Sequence, residues 1–325
     1  MKYLVTGGAG YIGSHMVRLL IENGDEVVIL DDLSTGNIFA IQNCELLEVD
    51  LLDKKALEKS LMNKYFDGII HFAARSIVSE SVRDPNLYFQ NNIKGTLNLL
   101  DVMLSNNINN FVFSSTAAIF GQPQSLKITE EHSKIPINPY GKSKLIIENI
   151  IEDFCKAYDF NATCLRYFNA SGAHESGEIG EAHRPETHLI PNIIRASLDS
   201  TYDLKLYGND YSTHDGTCIR DYIHVNDLAS AHKLSLEYMV SNPGFSAFNL
   251  GNGNGFSILD IISACEKIMS KKLTYKFEPR RSGDPDILVA DSTLASKQLN
   301  WKPNNSSIEN ILQTALNWHK KSSKQ

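Results

Sequence analysis

Apolar and polar positions follow two periods in the first half of the chain. Short runs dense in Val, Ile, Leu and Phe at residues 2–6, 26–30, 45–49, 68–72, 111–116 and 162–168 have the length and texture of strands buried on both faces. Between them, residues 12–23 and 52–63, a long stretch after Pro85 (Leu97, Leu99, Leu100, Val102), and residues 140–158 place apolar side chains at helical spacing. Every crossover is long enough to join parallel neighbours, so the pattern predicts an α/β fold, a doubly wound parallel sheet of the Rossmann type. After Asn169 the texture changes. Residues 172–185 form a loop rich in Gly, Glu and His. Helices are expected at 189–200, 226–239, 258–269 and 307–319, with short strands at 204–206, 247–250, 273–277 and 287–289. The organisation expected is residues 1–170 as a cofactor domain and 171–325 as a smaller mixed lobe, with some later segments returning to the first. Residues 320–325 are expected to fray.

Composition narrows the class. The 325 residues are ample for a sizeable core, and 42% hydrophobic with 21% charged residues fits a soluble globular chain. A net charge of −7 provides no basic footprint for nucleic acid or anionic membrane. The first apolar run leads directly into a glycine turn rather than a signal-peptide core, and no stretch is long enough to span a bilayer. Cys44, Cys155, Cys164, Cys218 and Cys265 are scattered and odd in number, as expected of reduced thiols in a cytoplasmic protein.

The turn at residues 7–13 is the first carrier of chemistry. Gly8, Gly10 and Gly13 satisfy G-x-G-x-x-G, and Gly7, Gly10 and Gly13 recur every third residue, between a strand and a helix. That context wants a positive φ, backbone N–H groups open to a pyrophosphate, and close helix–strand packing. Tyr11 and Ile12 open the helix whose N-terminal N–H groups attract the phosphates. The next strand ends in Asp31-Asp32, carboxylates suited to ribose hydroxyls and repulsive to a 2′-phosphate, which favours NAD over NADP. The polar loop after Leu33, from Ser34 to Asn37, is expected over the adenosine, and Asp50-Leu51 at the adenine edge. The fourth strand ends in Phe72 and runs into Ala73-Ala74, small residues that let a cofactor approach the backbone. Ser114, Tyr167 and Phe168 close other strand ends, and Asn91 lies on the helical stretch between. All these contacts gather at the C-terminal edge of the sheet, where such folds bind ligands. His71 reads as a packed core histidine.

Tyr140-Gly-Lys-Ser-Lys144 stacks a phenol and an ammonium one helical turn apart. A cation there is expected to lower the phenol's pKa toward that of a useful general base, and a strand ending Ser114-Ser115-Thr116 offers a hydroxyl to hold a substrate oxygen. With the glycine turn, this constellation resembles the extended short-chain dehydrogenase/reductase superfamily.

Longer stretches sharpen the resemblance across nearly the whole chain. Thr6 to His15, Phe72 to Ala74, Phe113 to Gly121, Pro139 to Lys144, Leu165 to His174, His183 to Pro191, Tyr207 to Tyr211, Asp215 to Val225, Asn249 to Gly251 and Arg280 to Pro285 look like the UDP-glucose 4-epimerase family. The resemblance implies epimerisation of UDP-galactose and UDP-glucose at C4 through a transient 4-keto sugar, with NAD tightly bound and not consumed. It implies Tyr140 as the base, Lys144 as its partner and Thr116 at the 4′-oxygen. It further implies Asn169, His188, Leu189, Tyr207, Arg220, Arg281 and Asp284 around the UDP moiety, Leu288 at the gate of an acetamido pocket, and a homodimer. At Leu288 the family's alternatives are a bulky Tyr or a small residue, so tolerance of N-acetyl sugars stays open. Ser76 stands where some members carry a Lys near the cofactor pyrophosphate, with Arg75 beside it.

Rival readings are weaker. A 4,6-dehydratase wants Asp-Glu directly after the Thr, where this chain has Ala117-Ala118. A uronate epimerase wants further cations. A non-catalytic NAD sensor has no use for the Tyr–Lys pair. His174-Glu175 begins like H-E-x-x-H, but position 178 is Glu, so a metalloenzyme is set aside and no metal site is expected.

Overall fold

The computed structural model describes residues 1–281 and 284–322. Ser282 and Gly283, inside the stretch from Arg280 to Pro285, and residues 323–325 of the tail lie outside the described residues. The core is a seven-stranded, wholly parallel sheet. Across it run Phe245–Leu250, Asn161–Tyr167, Asn110–Thr116, Gly68–His71, Lys2–Thr6, Glu26–Asp31 and Glu45–Glu48. The order reverses between Lys2–Thr6 and Gly68–His71, which leaves a crevice at the C-terminal strand ends.

Strand alternation explains the two faces. Tyr3, Val5, Val27 and Ile29 point to one side, against Met16, Val17 and Leu20 of the helix Tyr11–Glu22 and Leu228, Leu236 and Met239 of the helix Val225–Ser241. Leu4, Val28 and Leu30 point to the other, against Leu57 and Leu61 of Lys54–Leu61, Leu99, Leu100 and Met103 of Gly95–Ser105, and Ile147 and Ile151 of Pro139–Ala157. Burial on both sides is why these strands read as continuous apolar runs. Helix Val225–Ser241 and strand Phe245–Leu250 come from the second half of the chain, so the sheet draws on both halves.

The second lobe is organised on Ile219–His224. Gly255–Ser257 pairs with it antiparallel, and Ile287–Leu288 and Asn169–Ser171 pair with it parallel. A two-stranded sheet, Leu204–Tyr207 with Tyr275–Glu278, lies apart. Helices Leu189–Leu198, Ile258–Met269 and Ile308–Ser322 supply most of the lobe's own core. Among the elements that escape the sequence pattern are Ile219–His224, whose Arg and Asp break the apolar run, the short strands Asn169–Ser171 and Gly255–Ser257, and the short helices Val78–Arg83 and Thr293–Gln298. The stretch after Pro85 also differs from one regular helix. Pro85–Tyr88 passes through a π-turn at Phe89–Lys94 before Gly95–Ser105.

Candidate active site

The glycine turn is shaped by close approach. Gly7 has φ +69°, and a Cβ on it would lie 2.6 Å from the Ala73 nitrogen. A Cβ on Gly13 would lie 2.1 Å from the Gly7 carbonyl oxygen. The turn therefore sits tightly between Phe72-Ala73 and the helix it opens. Gly10 caps that helix with no side chain over its end, which leaves the N–H groups of Tyr11, Ile12 and Gly13 aimed into the crevice. Such a cradle fits a dinucleotide pyrophosphate.

Asp31 ends its strand buried, accepting from Ala9 N–H at 3.0 Å and Leu33 N–H at 2.9 Å. Burial raises its pKa and these two donors pull it back. Each of its oxygens keeps a further lone pair for a hydroxyl. Asp32 is exposed and accepts from the N–H and hydroxyl of Ser34. Asn37 closes the loop over the glycine turn by donating its N–H to the Ala9 carbonyl at 2.9 Å. Asp50 is exposed and braces its own loop at Leu52 N–H, and Leu51 is buried beside it. Phe72 packs its ring against His232 at 4.7 Å. His71 is wedged between the hydroxyls of Thr6 and Thr96, and burial lowers its pKa to about 3.

Asn91 is half-buried and donates only to its neighbour, Asn92 Oδ1. Asn92 is the buried one. Its side chain accepts from Arg75 N–H, donates to the Arg75 carbonyl and reaches the Ser143 hydroxyl. The π-turn that directs it is invisible to a helical-period count.

Tyr140 and Lys144 occupy the first turns of Pro139–Ala157, which Asn138 caps through Gly141 N–H at 2.8 Å. The Tyr140 phenol interacts with Thr116, the last residue of Asn110–Thr116, whose side chain favours the phenolate. Lys144 is buried and donates to the Ser114 carbonyl at 2.8 Å, with its ammonium 4.7 Å from the Phe113 ring centroid. The Ser114 hydroxyl bonds Tyr167. Burial dominates both titrations, raising the Tyr140 phenol and lowering the Lys144 ammonium to about 7. The expected depression of Tyr140 by Lys144 is absent in the chain alone. Desolvation dominates, and Thr116 is what favours the phenolate.

Beneath this pair, Arg166 and Glu148 form a buried ion pair at 2.7 Å, and Ser115 donates to Glu148 at 2.5 Å.

The second lobe contributes arginines. Arg220 is largely buried, donates to the Ile219 and Pro285 carbonyls and lies 3.8 Å from Asp284. Leu288 is its partner in the parallel register and packs on the cluster of Ala117, Ile119 and Phe120 just beyond Thr116. Arg281 stacks over the Tyr207 ring at 4.2 Å, whereas Arg280 is committed to Asp210 and Asp286. Asn169 opens the strand that crosses from the large sheet to the small one. His188 caps the helix that Leu189 begins, but its imidazole faces Glu181 at 2.7 Å and Glu186 at 3.1 Å. Burial lowers the His188 pKa, but the two carboxylates outweigh it and push it up to about 10.

The geometry brings together a dinucleotide cradle, a buried Tyr–Thr–Lys set and an arginine-bearing wall. A family model described as GDP-mannose 4,6 dehydratase matches residues 4–314. The UDP-glucose 4-epimerase of Halalkalibacterium halodurans is 45% identical over 320 residues, 98% of this chain and 96% of that protein. The crystal structure of UDP-glucose 4-epimerase from Brucella ovis in complex with NAD superposes with a TM-score of 0.93 at 44% identity, covering 97% of each chain. That of the Bifidobacterium longum enzyme in complex with NAD+ and UDP superposes with a TM-score of 0.94 at 36% identity, covering 99% of each.

Proposed function

The chain belongs to the UDP-glucose 4-epimerase family of extended short-chain dehydrogenases/reductases, and from that premise we propose that it interconverts UDP-galactose and UDP-glucose at C4 with bound NAD. The observation that carries the reading is the buried set of Tyr140, Thr116 and Lys144, with Lys144 one helical turn from Tyr140 and tied to the Ser114 carbonyl, at the same sheet edge as the glycine cradle. NAD supplies a site that accepts a hydride and returns it. The chain's own residues do the rest. Tyr140 takes the proton of the sugar 4′-hydroxyl and gives it back after the 4-keto sugar has turned its other face. Thr116 holds the oxygen on which that proton moves. Lys144 is a positioning cation beside the Ser114 carbonyl. Arg220 and Arg281 match the charge of a diphosphate, and Asp284 that of ribose hydroxyls.

The dehydratase chemistry named by the family model lacks its side chains here. Ala117 and Ala118 follow Thr116 in a 3-10 turn, where the dehydratase reading wants Asp and Glu.

The reading also includes a cytoplasmic homodimer of two-lobed subunits, the lobes drawn near residue 170 with residues 225–250 returning to the first sheet. Five unpaired thiols agree with a reducing compartment, and among the described residues no helix is long and apolar enough to cross a membrane. The helices a subunit contact would use are those of 85–105 and 139–158, and Ile146 is exposed on the second.

The test is incubation of the purified protein with UDP-galactose and no added cofactor. UDP-glucose should form, and Tyr140→Phe should abolish it. Bound NAD with unchanged UDP-galactose would redirect the substrate assignment. Because Leu288 is partly buried and shorter than a Tyr, UDP-N-acetylglucosamine belongs in the same assay.

A further inference from the structure

Just before the helix Leu189–Leu198, one loop gathers four side chains of metal-ligand type. Glu181 Oε1 lies 3.1 Å from His183 Nδ1 and 2.7 Å from His188 Nδ1. The Glu186 carboxylate lies 3.1 Å from His188 Nδ1 through one oxygen and 3.8 Å from His183 Nδ1 through the other. One donor atom from each residue lies within 4.8 Å of all the others. A tetrahedral ion with bonds of about 2.0–2.2 Å needs its donors about 3.3–3.6 Å apart, so the four require only small shifts.

An ion-pair network is the plain explanation, and it leaves one fact unaccounted for. The Glu186 side chain is fully buried, and its Oε2, the atom facing His183, has no hydrogen-bond partner. A buried carboxylate oxygen without a donor is costly. A second buried carboxylate, Glu181, adds like charge beside it. A divalent cation balances both carboxylates, gives the orphaned oxygen a partner and uses the two Nδ1 atoms that already converge.

We propose that Glu181, His183, Glu186 and His188 form a structural binding site for a divalent transition cation, Zn2+ foremost. Two imidazoles and two carboxylates suit Zn2+ or Co2+ better than Mg2+ or Ca2+, which prefer oxygen alone. Four protein donors leave no open position, so the ion is structural and takes no part at Tyr140. Its neighbours define what it would hold. The Tyr11 ring, directly after the glycine turn, meets His183 edge-on at 6.3 Å, and Trp318 of the last helix donates to the Glu181 carbonyl at 2.9 Å. The ion would tie the cofactor turn, the 181–188 loop and the C-terminal helix together.

The test uses the chelator-stripped holoprotein titrated with Co2+ and then with Zn2+ in excess Mg2+. One equivalent of Co2+ per chain should give the intense visible bands of a tetrahedral site, bleached by Zn2+. Glu186→Gln and His183→Gln should each weaken binding by more than about 100-fold, beyond what disturbing a ligand's surroundings does. His214→Gln, in the exposed group His214, Asp215 and Asp260, should not. X-ray absorption of the zinc-loaded wild type should read two imidazoles among four nitrogen and oxygen donors, which needs no variant to fold. No uptake, a weak octahedral Co2+ spectrum, sulfur in the absorption data, or loss of the ion in His214→Gln alone would each overturn the assignment.

Discussion

The Lys144 ammonium is tied to the main-chain carbonyl of Ser114 at 2.8 Å and buried there, so one turn of helix and one strand end share a single cation. Burial lowers this ammonium to about 7 from 10.5. Between those values the unfolded chain holds more protons at this site than the folded one. The site's contribution to stability therefore rises with pH across that window, and below pH 7 the full penalty applies. Lys144→Met should raise the melting temperature of the NAD-free protein at pH 6, by about 2–4 °C per kcal/mol recovered. The gain should shrink toward pH 10, while epimerisation falls at least about 100-fold. Scanning calorimetry at the two pH values checks it, and a variant less stable at pH 6 than at pH 10 relative to wild type would refute it.

Tyr140 and Thr116 should separate in their kinetics. Tyr140→Phe removes the base and should cost about 10²–10⁴ in kcat with NAD content unchanged. Thr116→Val removes the hydroxyl that favours the phenolate against burial. The rising limb of its pH–rate profile should move to higher pH, a shift that a merely structural Thr would not produce.

The glycine turn should be intolerant in a graded way. A Cβ on Gly13 meets the Gly7 carbonyl at 2.1 Å, and one on Gly10 meets it at 3.2 Å. Gly13→Ala should cost about 3 kcal/mol or more and yield protein without NAD. Gly10→Ala should be milder on both counts. Nucleotide released on denaturing each purified variant is the measurement.

Much of this was legible beforehand. The parallel strands announced themselves because both faces are buried, and the glycine turn because its spacing answers a backbone requirement that few other contexts impose. What stayed hidden depends on tertiary direction. Ile219–His224 is a central strand that carries Arg220 and a buried Asp221, whose carboxylate accepts three backbone N–H groups. Its polar residues are satisfied by loops far away in sequence, so no local pattern marks it. Asn92 was hidden by a π-turn. The Glu181 to His188 group was hidden because its E-x-H-x-x-E-x-H spacing matches no helical metal motif and converges only through a loop.

The buried pair under the site gives a stability test. Arg166 and Glu148 are each about 3% exposed, and Glu148 also receives Ser115. Glu148→Gln leaves the guanidinium without its counter-charge and should cost about 3–5 kcal/mol. Replacing both, with Arg166→Met and Glu148→Leu, should cost less than the single change. Urea denaturation of the two variants beside the wild type decides the order.

The strand Phe245–Leu250 gives the protein a particular history on the ribosome. Residues 1–167 supply six strands, but the edge formed by Asn161–Tyr167 stays bare until residue 250 has emerged, several seconds later at ordinary rates of synthesis. Throughout that interval the nascent chain presents an open row of backbone donors and acceptors to whatever is nearby. Ribosomes stalled or messages truncated between those points would release a fragment with its cofactor turn complete and its sheet unfinished, a substrate for chaperones rather than for nucleotide sugars.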